Sequence, residues 1–117
     1  MANTLDQVRT MFNALCILDA IDRTRGELAW STSSKAASYL NRRWLLDSEP
    51  QWNGGAVASY VKTMAVRGLV KATNPPRNPR APITTKDFVS SYTAANAIWI
   101  TDVGYERLKL FREALMQ

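Results

Sequence analysis

Apolar residues recur at Leu5, Val8, Met11, Phe12, Leu15, Leu18 and Ile21, the three- and four-residue spacing of a single helical face. Thr4 followed by Gln7 has the form of a capping box. Gly26 after Arg25 is a stop that can adopt the left-handed conformation, so a first helix is predicted from about Thr4 to Arg25. Its polar face carries Asp6, Arg9, Asn13 and Asp22, and the i, i+3 pair Asp19 and Asp22 is expected to be solvated. Leu28-Ala29-Trp30 is a short apolar run that fits one small strand. Ser31, Thr32, Ser33 and Ser34 are all good N-caps for a second helix through Ala36, Ala37, Tyr39, Leu40, Trp44 and Leu45, which must stop before Pro50.

Asn53-Gly54-Gly55 has no strand-like alternation before it, so Asn53 reads as the N-cap of a third helix. Val57, Tyr60, Val61 and Met64 share one face of it, and Gly68 ends it. Leu69-Val70 starts an extended segment. From Asn74 to Pro82 the chain holds four of its five prolines, which exclude helix and central strand and predict a protruding loop over about Asn74 to Ser91. Ala97-Ile98-Trp99-Ile100 is a returning strand with Trp99 expected in the core. Thr101 or Asp102 then caps a last helix with Leu108, Phe111 and Leu115 along one side.

Composition narrows what this arrangement can do. With 117 residues, 46% hydrophobic and 21% charged, the chain is expected to be a single globular domain over 1–117. There is no histidine and one cysteine, Cys16, which reads as a small buried hydrophobe. That excludes Ser-His and Cys-His chemistry, a disulfide framework within one chain and any multi-thiolate metal site. Ser59-Tyr60-Val61-Lys62 has the Ser-x-x-Lys spacing of penicillin-recognising enzymes, but the companion motifs are missing and the chain is too short for that fold. No enzyme, metal or cofactor is expected. The apolar run Ala14 to Leu18 is too short to span a bilayer, and Asp6 sits where a secretion signal carries positive charge. A cytoplasmic protein with no membrane partner is expected.

The net charge of +5 is unevenly placed. Between Pro50 and Lys86 stand six basic residues (Lys62, Arg67, Lys71, Arg77, Arg80, Lys86) and no acidic one, while the rest carries nine basic against ten acidic. Such a segment suits a polyanion.

Two stretches place these parts in a known order. Val57-Ala58-Ser59-Tyr60-Val61-Lys62-Thr63-Met64-Ala65-Val66-Arg67-Gly68-Leu69-Val70 resembles the recognition helix and following turn of MarR- and PadR-type winged-helix regulators. Ile98-Trp99-Ile100-Thr101-Asp102-Val103-Gly104-Tyr105-Glu106-Arg107-Leu108 resembles their exit from the wing into the last helix. The resemblance implies a mainly α fold with a small β-hairpin: a winged helix-turn-helix with a three-helix core, a wing over about 69–101 and a C-terminal helix over about 102–116. It implies double-stranded DNA as partner and a transcriptional regulator acting as a homodimer. Helix 54–67 would enter the major groove and the wing would touch backbone or minor groove. The residues so assigned are Asn53, Gly55, Ala56, Ser59, Lys62, Thr63, Arg67, Arg77, Arg80 and Lys86. Dimerisation is expected through Met11, Leu15 and Leu18 with Leu108, Phe111 and Leu115, whose apolar sides exceed what one small core needs. Recognition helices of this kind carry more Arg, Lys, Asn or Gln than this one. A winged helix that contacts a protein partner, with Trp44 or Trp52 at the interface, is therefore the rival expectation.

Overall fold

The computed structural model describes residues 4–44, 52–74 and 96–116, with side chains of 10–43 in the first of these stretches. The protein is mainly helical with a small antiparallel sheet. Its elements run α1 (Thr4–Thr24), β1 (Ser31–Thr32), α2 (Ser33–Trp44), α3 (Gly54–Val66), β2 (Val70–Thr73), β3 (Ala97–Ile100) and α4 (Asp102–Leu115). The sheet order is β1-β3-β2, so the returning strand lies in the middle. Ser31 pairs with Ile98, and Val70 to Thr73 pair with Ile100 to Ala97.

The first strand begins later than the apolar run predicts. Leu28 N–H donates to the Arg25 carbonyl at 3.0 Å and Arg25 Nη1 donates to the Leu28 carbonyl at 2.9 Å, which commits Leu28 to the turn after α1. Trp30 is buried, but the ladder starts at Ser31. Ile98 and Ile100 face the helices and join a core with Ile17, Leu18, Ile21, Leu40, Val61 and Leu108. Trp99, expected inside, is only half-buried, because alternation along β3 turns it to the other face, beside the exposed Lys71. The capping-box side chains of Thr4 and Gln7, Leu45 and the expected loop from Pro75 to Ser91 lie outside the described residues.

Asp19 and Asp22, expected to be solvated, instead join α1 to α4. Arg112 Nε donates to Asp19 Oδ1 and its Nη2 to Asp22 Oδ2, both at 2.8 Å. Arg23 and Arg25 add bonds of 3.0 Å to Asp19 and Asp22 from within α1 and its following turn. Asp19 is buried among these partners. Phe12 meets Phe111 edge-on at 5.8 Å beside the network. Burial works against ionisation of Asp22, and the hydrogen bonds from Arg112 and Arg25 outweigh it, holding its carboxyl below the ordinary 3.8. A carboxyl with a lower pKa folded than unfolded stabilises the fold above its unfolded value and stops doing so as pH falls through its folded one. The melting temperature is therefore expected to drop as pH falls below 3.8. Asp22→Asn should be less stable near neutrality and lose part of that acid dependence in thermal melts. An unchanged acid profile would mean that Asp22 does not hold α4.

Candidate nucleic-acid interface

α3 is held at both ends by local chemistry. Asn53 has extended backbone and its Oδ1 accepts from Ala56 N–H at 2.8 Å, the expected N-cap. At the other end Gly68 N–H donates to the Ala65 carbonyl and Leu69 N–H to the Met64 carbonyl, both at 3.0 Å. This is a Schellman motif, and it requires the left-handed backbone that Gly68 adopts at φ +76°. Leu69 is half-buried against the core, since it leaves the helix at the rim before Val70 enters the sheet.

The inner face of α3 is Val57, Ala58, Val61 and Met64, all buried. Tyr60, on its flank, accepts a hydrogen bond from Asn13 Nδ2 at 3.3 Å and meets the ring of Trp52 edge-on at 5.7 Å. Asn41 of α2 grips Trp52 by its backbone: Nδ2 donates to the Trp52 carbonyl at 2.9 Å, and Trp52 N–H donates to Oδ1 at 2.7 Å. Trp52 is thus a half-buried pin between α2 and α3 rather than a free contact residue. The side chain of Trp44 lies outside the described residues.

The outer face brings together most of the expected residues of this helix. Gly55, Ser59, Lys62, Thr63 and Arg67 are exposed, whereas Ala56 is half-buried. The Ser59 hydroxyl donates to the Gly55 carbonyl at 3.2 Å. The Asn53 side-chain oxygen is occupied by its cap, so it offers a new partner less than its exposure suggests. Arg77, Arg80 and Lys86 lie outside the described residues.

Two features escaped the sequence reading. Val66 is 82% exposed and belongs to the outer face. It stands seven residues after Ser59, a spacing that returns to the same side of a helix. The other is α2, where Lys35, Ser38 and Arg42 are all exposed at i, i+3 and i+7, opposite the buried Ala37 and Leu40. A charge window opening at Pro50 left that stripe out. Counted over the described residues from Ser31 to Thr73, there are six cations (Lys35, Arg42, Arg43, Lys62, Arg67, Lys71) and no carboxylate.

The carboxylates whose side chains are described lie on α1, the turn after it and α4. There Arg23, Arg25 and Arg112 are all in salt bridges with Asp19 or Asp22. Arg107 and Lys109 share α4 with Asp102, Glu106 and Glu113. By contrast, the side chains of Lys35, Arg42, Lys62 and Arg67 make no hydrogen bond or ion pair among the described residues. Among the described residues, cations and carboxylates are nearly balanced on α1, its following turn and α4, whereas α2, α3 and β2 carry cations alone.

Little else here suggests chemistry. Cys16 is buried, and that burial, with Asp19 nearby, pushes its thiol up to about 11, the state of an inert core residue. No group of three or more metal-ligating side chains occurs among the described residues. No helix among them is long and apolar enough to cross a membrane. Of the apolar residues assigned to a dimer contact, Leu18, Leu108 and Phe111 are buried inside the single chain and Leu15 is half-buried, which leaves Met11 and Leu115 exposed. No family model, curated protein or solved structure matches the chain.

Proposed function

We propose that the protein is a small winged-helix DNA-binding protein, a transcriptional regulator that lays α3 in the major groove. The observation that carries this reading is the separation of charge. Among the described residues, α2, α3 and β2 carry six cations and no carboxylate, and four of those cations have no ion pair there, while Asp47 and Glu49 fall in the undescribed stretch between α2 and α3. An isolated positive face of this kind gains from phosphate by releasing the counterions condensed on DNA. The order of elements supports the fold reading: three helices, a strand pair joined by a long basic segment, and a last helix, with the returning strand central. Lys35 and Arg42 on α2 and Lys62 and Arg67 on α3 would neutralise phosphates. Gly55, Ser59 and Thr63 would face base edges. A homodimer would form through the exposed Met11 and Leu115, and sedimentation of wild type against Met11→Glu reports it.

Salt dependence tests the reading. Each phosphate neutralised contributes about −0.9 to the slope of log affinity against log salt. Lys62→Ala with Arg67→Ala is expected to flatten the slope by about 2 and to weaken binding to all sequences alike. Lys35→Ala with Arg42→Ala should do the same, while Arg107→Ala with Lys109→Ala on α4 should leave the slope in place. Ser59→Ala and Thr63→Ala should narrow the preference between sequences with the slope unchanged, because phosphate contacts position and base contacts specify. Wild-type binding no tighter than about 10⁻⁴ M at physiological salt would end this reading. A protein partner on the same face would then take its place.

A further inference from the structure

We infer that Val66 is a specificity-determining residue that reads the 5-methyl group of thymine, so that the duplex this face selects has thymine at a fixed position. The inference rests on the DNA-binding reading above and adds the chemistry of the sequence to be read.

Exposure decides that Val66 has no part in the fold: at 82% it is nearly as free as the penultimate residue, Met116 at 88%. The other large exposed apolar side chains among the described residues lie on α1, on α4 or at Met116. Among the described residues, Val66 alone of these stands on the elements from α2 to β2. A β-branched residue at an open helix position is also a poorer helix former than Lys, Arg or Ala, so helix stability does not favour it there.

Its place on α3 is the second argument. Gly55, Ser59 and Val66 lie at i, i+4 and i+11 and form the central line of the outer face, with Lys62 and Thr63 on either side. That line spans about 16 Å, the length of roughly five base-pair steps. It presents in order a bare backbone, a hydroxyl and an isopropyl group. None of these can make the bidentate bonds that select guanine or adenine. What the major groove offers to an apolar tip is the thymine methyl. Short side chains along the rest of the line let the helix approach closely enough for that contact. Unpaired Lys62 and Arg67 beside Val66 supply the charge complementarity that brings a phosphate backbone to this end of the helix. The A-form groove of duplex RNA is too deep and narrow to be read this way, and RNA lacks the methyl group.

The test uses the full chain and a duplex selected from a random-sequence pool. Each thymine of the selected duplex is replaced in turn by uracil, which keeps the hydrogen-bonding edge and removes only the methyl. For wild type, at least one position should bind about fourfold more weakly, the worth of one buried methyl. Val66→Ala should bind the thymine and uracil duplexes equally, with a melting temperature no lower than wild type and an unchanged salt slope. Wild type indifferent to uracil at every position overturns the inference, and so does Val66→Ala retaining the full uracil penalty. In both cases DNA binding with a steep salt slope leaves the broader reading standing. Absence of duplex binding by wild type overturns both.

Discussion

Val61→Asp is expected to leave the chain unfolded at ambient temperature, while Lys62→Asp, one residue on, is expected to fold normally and, on the proposed reading, to lose nucleic-acid affinity. Val61 is 1% exposed and sits in the core with Val57, Met64, Leu40 and Ile17. A carboxylate placed there gives up its hydration without gaining a partner, and the effective penalty for a buried ion is several kcal/mol. A domain of this size has a total stability on the order of 5–15 kcal/mol, so one such group consumes most of it. Lys62 lies on the exposed side and makes no ion pair among the described residues, so its replacement costs the fold little. Far-UV circular dichroism and thermal melts of the two variants, with Val61→Ala as an intermediate step, separate these effects. A folded, cooperative Val61→Asp would mean that α3 is not seated through this face, and the assignment of its outer residues would go with it.

What was legible in the sequence is what local chemistry decides. Asn53, Gly68 and Thr101 each set a helix end through bonds to backbone within five residues, and each acts as its type and spacing predict. The inner face of α3 follows from periodicity alone. Contacts between distant segments were not legible. Arg112 reaches Asp19 and Asp22 from 93 and 90 residues away, and no spacing rule ties a residue of α4 to a residue of α1. The same limit hid which cations are neutralised: Arg23 and Lys35 look alike in a charge count, yet one holds Asp19 and the other is unpaired among the described residues. Trp99 departs from expectation because flanking isoleucines suggest a strand buried on both faces, whereas the described helices pack on the face of β3 that carries Ile98 and Ile100. Val66 escaped because an apolar residue beside an apolar stripe is read as core until burial is known.

Gly104→Ala is expected to destabilise the protein by about 3 kcal/mol, against the usual sign for such a change. In an open helix position, alanine in place of glycine gains about 1 kcal/mol. Gly104 is not open. It is buried in the first turn of α4, and a Cβ there would collide with the carbonyl oxygen of Leu69 and stand 2.6 Å from Ile100 Cγ2. The obstacle is backbone, which cannot rotate aside as a side chain would. That carbonyl is also engaged: it accepts from Thr101 N–H at 3.0 Å, and the Thr101 hydroxyl, 2.5 Å from the Gly68 carbonyl oxygen, lies 3.1 Å from it. The same hydroxyl accepts from Gly104 N–H at 3.1 Å to cap α4. Moving Leu69 away to admit a methyl group would strain both bonds and the cap, and it would disturb the turn that ends α3. Urea denaturation should therefore show a lower midpoint with an unchanged slope. Thr101→Val, which keeps the shape and removes the hydroxyl, should cost about 1–2 kcal/mol, because it removes both the cap on α4 and the hydroxyl's bond to the backbone at the end of α3. If Gly104→Ala is neutral or stabilising, α4 does not dock on the Leu69 carbonyl, and the close joint between the end of α3 and the start of α4 is not there.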